Sequence, residues 1–342
     1  MLYAHVNCLK YLICLVCCLS ASGLNAAEVN VYSARKEDLI KPLLQQFEAD
    51  SGINVNLVTG KADALLQRLI SEGKNSPADI FITVDAGRLH RAKEADVLQA
   101  VHSPTLENAV PEQYRDPKGY WFGLSVRARP IVYAVKRVDP ERLSSYESLA
   151  DPRWKQKVCI RSSDNIYNQS LVAALLAHHG TEKTTEWATG FADNFARPPQ
   201  GGDRDQIKAV AAGQCDIAVV NTYYLGQMLT SKDEKEQQAA WQVKIFWPNQ
   251  DDRGTHVNIS GAGITTASKN KDEAIALLEY LVSDSAQQWY AETNYEYPVA
   301  PGIPPSDLLK EWGEFKADTL SLSRLGELNA QAVMVMDHAK WK

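Results

Sequence analysis

Several signatures of enzymatic chemistry are missing from this chain. It has no Gly-x-Ser-x-Gly elbow, no His-Glu-x-x-His pair and, beyond the first 27 residues, no cysteines at zinc-site spacing. That leaves a secreted hydrolase or metalloenzyme with only the late cysteines and the His178-His179 pair to work with. Internal repeats, low-complexity tracts and long linkers are also missing, which excludes a solenoid or a disordered scaffold. Positive charge is in deficit, with 36 Lys+Arg against 42 Asp+Glu. This balance argues against nucleic acid or an anionic membrane as the main partner. At 342 residues the chain exceeds one common core, so two lobes are expected.

Cysteine is scarce and unevenly placed. Of the six, Cys8, Cys14, Cys17 and Cys18 fall in the first stretch of chain. There Lys10 precedes an apolar run over residues 11–19, followed by small residues up to Ala26-Ala27. A charged start, a short apolar core and a small-residue zone read as a signal peptide over residues 1–27, too short to span a bilayer comfortably. Cleavage is expected after Ala26 or Ala27, giving an exported chain that starts near Glu28. A lipid anchor would need a small residue before a cysteine, and Cys18 is preceded by Cys17. Cys159 and Cys215 then remain, an even pair in an exported protein, which suggests a disulfide. Each sits at the edge of an expected strand. Two buried free thiols are the alternative.

Hydrophobic spacing supplies the organisation. Residues 29–32, 54–58 and 79–84 read as strands. They alternate with helices over 37–49, where Leu39, Ile40, Leu43, Leu44 and Phe47 share a face, and over 63–71. Asp85 can cap the helix that follows. Such alternation implies parallel pairing in an α/β layer. Residues 120–135 are extended and apolar, broken by Arg127, Arg129 and Pro130, and read as the chain crossing into a second lobe. That lobe repeats the pattern, with strands at 158–161, 216–220 and 243–247 and helices at 169–178, 182–195 and 206–212. Residues 254–261 read as a return strand, followed by helices at 271–281 and 285–293. The expected fold is therefore α/β and two-lobed, with crossing strands and a ligand cleft between the lobes. The expected division is 28–126 plus 258–305 for the first lobe and 127–257 for the second. A helical tail over 306–342 would pack on the lobes.

Two stretches of the second lobe carry most of the chemical information. Residues 165–170 read Asn-Ile-Tyr-Asn-Gln-Ser, and residues 221–224 read Asn-Thr-Tyr-Tyr. A phenol with a pKa near ~10 is a poor ligand for most metals at neutral pH. Ferric iron is the exception, because its charge density displaces the phenolic proton. Three phenolates would also cancel its charge. Taken alone, Tyr223-Tyr224 reads as the end of a strand, with one ring packed inside and the other wet.

The flanking residues alter that balance. The chain resembles periplasmic ferric-iron-binding proteins, the solute receptors of iron ABC importers, from about Val29 to Pro301. The resemblance is carried, in order, by residues 31–35 (Val-Tyr-Ser-Ala-Arg), 76–81 (Ser-Pro-Ala-Asp-Ile-Phe), 161–170, 201–206 (Gly-Gly-Asp-Arg-Asp-Gln), 221–226 and 254–261. It implies a class of two-lobed receptor that closes on its ligand, with Fe³⁺ held by Tyr167, Tyr223 and Tyr224. It also implies a synergistic anion such as carbonate held by Arg35 and Arg127, for which the planar guanidinium fork is suited. An inner-membrane ABC permease is the implied partner of a non-enzymatic, monomeric periplasmic receptor.

The chain departs from the family at the first lobe. A histidine and a glutamate used by some members align here with Lys36 and Val84. A fourth tyrosine used by others aligns with Glu37, an oxygen donor whose expected task is to cap its own helix. His178-His179 followed by Gly180 reads as a helix end, since adjacent helical residues do not face one another. His256 reads as a packing or hydrogen-bonding residue of a hinge strand, and Asp203 and Asp205 around Arg204 read as the start of a helix. The competing expectation keeps the fold but makes Arg35 and Arg127 the site of an oxyanion receptor for phosphate, sulfate or a phosphonate.

Overall fold

The computed structural model describes residues 27–342, so the expected signal segment up to Ala26, with its four cysteines, lies outside the described residues. Strand β1 (Glu28–Ser33) pairs in parallel with β2 (Asn54–Thr59) and β3 (Ile80–Val84). Parallel neighbours need crossovers, which α1 (Lys41–Ser51) and α2 (Ala62–Glu72) provide. Leu43, Leu44 and Phe47 on α1 and Leu65, Leu66 and Leu69 on α2 are buried against the sheet. Helix α3 (Ala86–Glu94) starts at Asp85, whose carboxylate accepts from the Gly87 N–H at 2.9 Å, as expected of a cap.

One early helix differs from expectation. Residues Glu37–Leu39 form a 3₁₀ turn, Ile40 breaks the run at φ −140°, and α1 begins only at Lys41. Pro42 gives the reason. In the interior of a helix it would lack an N–H and clash with the carbonyl one turn back, whereas in a first turn it costs nothing. Glu37 therefore caps no helix; its carboxylate pairs with Lys41 Nζ at 2.7 Å on the exposed surface.

The chain then crosses from β4 (Phe122–Ala128) through Arg129-Pro130 into β5 (Ile131–Ala134). The expected boundary at 126/127 cuts β4, which stays in the first sheet through Ala128 because Pro130 is the first residue unable to donate to a ladder. The second sheet is built from β6 (Val158–Cys159), β7 (Ile217–Val219), β5 and β8 (Val243–Phe246), in the order β6-β7-β5-β8. Its helices are α4 (Ile166–Asp193), α5 (Asp203–Ala211) and α6 (Thr222–Leu229). Strand β9 (Val257–Ile264), buried along its whole length, returns to the first sheet antiparallel between β3 and β4. With the short β10 (Tyr297–Pro298) that sheet reads β10-β4-β9-β3-β1-β2.

Two helices were expected over 169–178 and 182–195; they form one run interrupted at Gly180, whose φ of 75° is the left-handed backbone glycine tolerates. The run starts three residues before the expected position, because the Asn165 side chain accepts from the Tyr167 N–H and caps it. Helix α7 (Lys271–Leu281) has the expected bounds. The tail adds α8 (Asp307–Glu311), α9 (Ser323–Glu327) and α10 (Asn329–His338). Helix α9 packs on both α3 and α4, one from each lobe, and α10 lies along α4. Beyond it Trp341 is fully buried among Trp187, Phe191 and Phe195, and its indole N–H donates to the Arg161 carbonyl.

The lobes join where Arg129 and His256 pass each other. The Arg129 N–H donates to the His256 carbonyl at 3.1 Å. The Tyr146 hydroxyl donates to the Arg129 carbonyl and accepts from the His256 N–H, pinning both crossing segments. The buried His256 imidazole is pushed down to about 3, first by burial and then by the positive charge of Arg129 and Arg253 and by His178. It is therefore neutral in the folded protein.

Two outcomes are expected. Cys159 and Cys215 are joined, Cα to Cα 5.8 Å, tying β6 to the start of β7 across a sequence separation of 56. Replacing both by alanine should lower stability by about 4 kcal/mol in the chain-entropy picture, read as the midpoint of denaturant unfolding; coincident midpoints would refute this. The folded pKa of His256 lies below its ordinary ~6.5, so between these values the unfolded chain binds the extra proton. Its contribution is present above about pH 6.5 and is lost as pH falls toward 3. His256→Gln should flatten the pH dependence of the unfolding midpoint across that window, and an unchanged slope would contradict it.

Candidate functional site

Both tyrosine stretches end up at helix starts. Tyr167 is the second residue of α4, and Tyr223 and Tyr224 are the second and third of α6. Helical side chains lean toward the N-terminus, so these hydroxyls reach past the ends of their helices. They meet in a cleft of about 190 Å³ that also includes Arg35, Lys36, Val84, Arg127, Gln227 and Glu296. The Tyr167 and Tyr223 hydroxyl oxygens lie 3.3 Å apart, and the Tyr223 and Tyr224 ring centres 4.2 Å apart. The helix N-termini add positive potential where the hydroxyls converge.

The cleft joins the lobes. Arg35, Lys36 and Val84 come from the first lobe and the tyrosines from the second. Ser170 on α4 donates to the Asp85 carboxylate at 2.7 Å, a direct bond across the interface. Gly226 on α6 sits so close to Tyr295 that a Cβ would fall 2.8 Å from that side chain, which lets the tyrosine helix press against the segment carrying Glu296.

The electrostatics are unusual. Burial pushes the Tyr223 hydroxyl well above its ordinary range, and Tyr167 and Tyr224 push it further, with Arg127 opposing. Tyr224 is raised too, by burial first and then by Tyr167 and Asp203. For Tyr223 and Tyr224 the like charge of neighbouring phenolates thus adds to the cost of burial. Facing them is an excess of guanidinium. Arg127, Arg129 and Arg161 lie 5.4, 5.8 and 5.4 Å from the Tyr167 ring centre, and Arg127 lies 5.8 Å from that of Tyr223. Burial alone would lower the Arg127 pKa, but Tyr167, Tyr223, Glu296 and Asp85 together raise it, so it stays charged.

Both cleft arginines have donors to spare. Arg35 gives one Nη to Glu296 at 3.0 Å, and Arg127 gives one Nη to the Ile259 carbonyl. The Nε and Nη1 of each are buried without a partner among the described residues. Unpaired donors of this kind are costly in a protein interior. They suit an oxyanion, whose oxygens could accept from both forks.

The structure thus brings Tyr167, Tyr223, Tyr224, Arg35 and Arg127 into one cleft and leaves Glu37 out, on the surface with Lys41. Lys36 and Val84, the positions of the missing histidine and glutamate, do line it. His178 and His179 do not form a metal pair: one bonds Asp318, the other Glu147, with ring centres 6.3 Å apart. Among the described residues no cluster of three or more His, Cys, Asp or Glu could hold a metal. Glu296 and Gln227 escaped the sequence reading. Glu296 is buried, tied to Arg35 and the Ser125 hydroxyl. Its one signal was an acid between two tyrosines, Tyr295-Glu296-Tyr297, in a return segment.

Comparison with known proteins bears on the family and the fold. The family model described as bacterial extracellular solute-binding protein matches residues 75–314. The chain is 50% identical over 315 residues to iron uptake protein A1 of Synechocystis sp. (strain ATCC 27184 / PCC 6803 / Kazusa), covering 92% of this chain and 88% of that one. A solved structure of Trichodesmium FutA (IdiA) in complex with iron and citrate superposes with a TM-score of 0.90 at 51% identity, over 92% of this chain and all of that one. Apo FutA2 from Synechocystis PCC6803 gives 0.88 at 44% identity, over 93% of this chain and all of that one.

Proposed function

Because the chain belongs to the bacterial extracellular solute-binding proteins, we propose that it binds ferric iron with high affinity in the periplasm and delivers it to an inner-membrane ABC permease. The observation that supports this best is the meeting of the Tyr167 and Tyr223 hydroxyls, 3.3 Å apart and beside Tyr224, under a buried Arg127. Tyr167, Tyr223 and Tyr224 are the iron ligands in this reading. Arg35 and Arg127 hold an accompanying oxyanion, carbonate or a carboxylate, on their unpaired donors. Three phenolates cancel the charge of Fe³⁺, and the arginines offset the anion.

The protein's part is to bind and to close. With Tyr223 and Tyr224 pushed above the ordinary phenol range, a monovalent or weakly polarising cation gains too little from them to displace their protons. A ligand that touches the tyrosines of one lobe and, through its anion, Arg35 of the other interacts better with the closed state than the open one. That difference alone can drive closure. The chain performs no bond-making chemistry in this reading and works as a single copy.

An oxyanion receptor of the same fold, for phosphate, sulfate or a phosphonate, would use the same arginines and need no tyrosine. Tyr223→Phe and Tyr224→Phe separate the two. Each should remove most of the visible tyrosinate-to-iron absorption and weaken iron binding on the order of 100-fold, the upper end of what changes beside a metal cost. Equal colour and affinity in both variants, or anion binding in metal-free buffer as tight as with iron, would favour the oxyanion receptor.

A further inference from the structure

We infer that Asp203, which does not line the cleft and hydrogen-bonds no tyrosine, is a positioning residue that holds both tyrosine helices in register. The inference rests on the ferric-iron reading of the cleft.

Asp203 opens α5 and is wholly buried. Its Oδ2 accepts from the Asn221 N–H at 2.7 Å and from Arg129 at 3.3 Å, and its Oδ1 from Arg161 at 3.1 Å. Each partner leads to a tyrosine. Asn221 is the residue from which α6 starts, one and two peptide units before Thr222 and Tyr223. Arg129 passes a second Nη to the Asn168 side chain at 2.6 Å, next to Tyr167. Asn168 in turn donates to the Arg161 carbonyl, closing a ring of bonds around the start of α4. The guanidiniums of Arg129 and Arg161 are thereby fixed against the Tyr167 ring.

A buried carboxylate shared by two arginines is a poor way to gain stability, because well-packed apolar residues commonly do as well. What it supplies here is alignment. One side chain joins the end of the first crossing, at Arg129, to the starts of both helices that present phenols. Displacing it by the width of one hydrogen bond would move Tyr223 and Tyr224 relative to Tyr167.

Asp203→Asn keeps the shape but removes the charge that gathers both guanidiniums, and Arg161→Lys keeps the charge beside Tyr167 but loses the rigid fork. In Asp203→Asn, amide hydrogen exchange over residues 221–224 of iron-free protein should rise. On adding ferric nitrilotriacetate, the tyrosinate-to-iron band should shift, and competition with citrate should show affinity lower by at least about tenfold. Arg161→Lys should shift the band in the same sense, whereas a purely electrostatic role for Arg161 would leave it in place. Wild-type exchange, band and affinity in Asp203→Asn would overturn the inference. Should that variant not fold, a wild-type band and affinity in Arg161→Lys would do so. A wild-type protein without any such band would instead overturn the iron reading itself.

Discussion

Three phenol oxygens crowded at one point of a narrow cleft can lose their protons together only if a strongly charged cation sits among them. Most of the rest of the molecule follows from that constraint. Burial and the neighbouring phenols push Tyr223 and Tyr224 above their ordinary range, so in the proposed reading a weakly charged cation gains little from them. The surrounding arginines then serve two ends. Those with unpaired donors, Arg35 and Arg127, can take an oxyanion, while Arg129 and Arg161 brace the ring of Tyr167.

Holding such a cluster demands rigidity behind it. The tyrosines stand on the first turns of two helices whose preceding strands, β6 and β7, are neighbours in one sheet and tied by the Cys159–Cys215 disulfide. Asp203 bonds the start of α6 and Arg129, which in turn holds Asn168 at the start of α4, and the Tyr146 hydroxyl bonds that crossing to the second at His256. The tail adds a third link, with α9 packed on a helix from each lobe and Trp341 locked onto the Arg161 carbonyl. The second lobe is thus built as a fixed platform, and the first brings Arg35 and Glu296 up to it.

Much of this was legible in the residues. The alternation of residues 29–84 gave parallel strands because the intervening helices supply the crossovers that parallel neighbours need, and the two tyrosine stretches pointed to the cleft through their resemblance to ferric-iron-binding proteins, not through the phenols alone. Cys159 and Cys215 were readable as strand-edge partners. What escaped was set by contacts distant in sequence. Glu296 meets Arg35 across 261 residues, so its burial left no local trace. Asp203 looked like a helix opener because nothing nearby reveals that Arg129, Arg161 and Asn221 converge on it. The late start of α1 was decided by Pro42 overriding the apolar face that seemed to begin at Leu39. The crossing was displaced by two residues for a similar local reason at Pro130.

The most direct test is a proton count. Ferric nitrilotriacetate added to the iron-free protein at neutral pH in weak buffer, corrected for protons taken up by the released chelator, should liberate about three protons per ion bound, one from each phenol. Uptake of iron with no proton release, or a count unchanged after Tyr167, Tyr223 and Tyr224 are replaced together by phenylalanine, would contradict a phenolate seat for the metal.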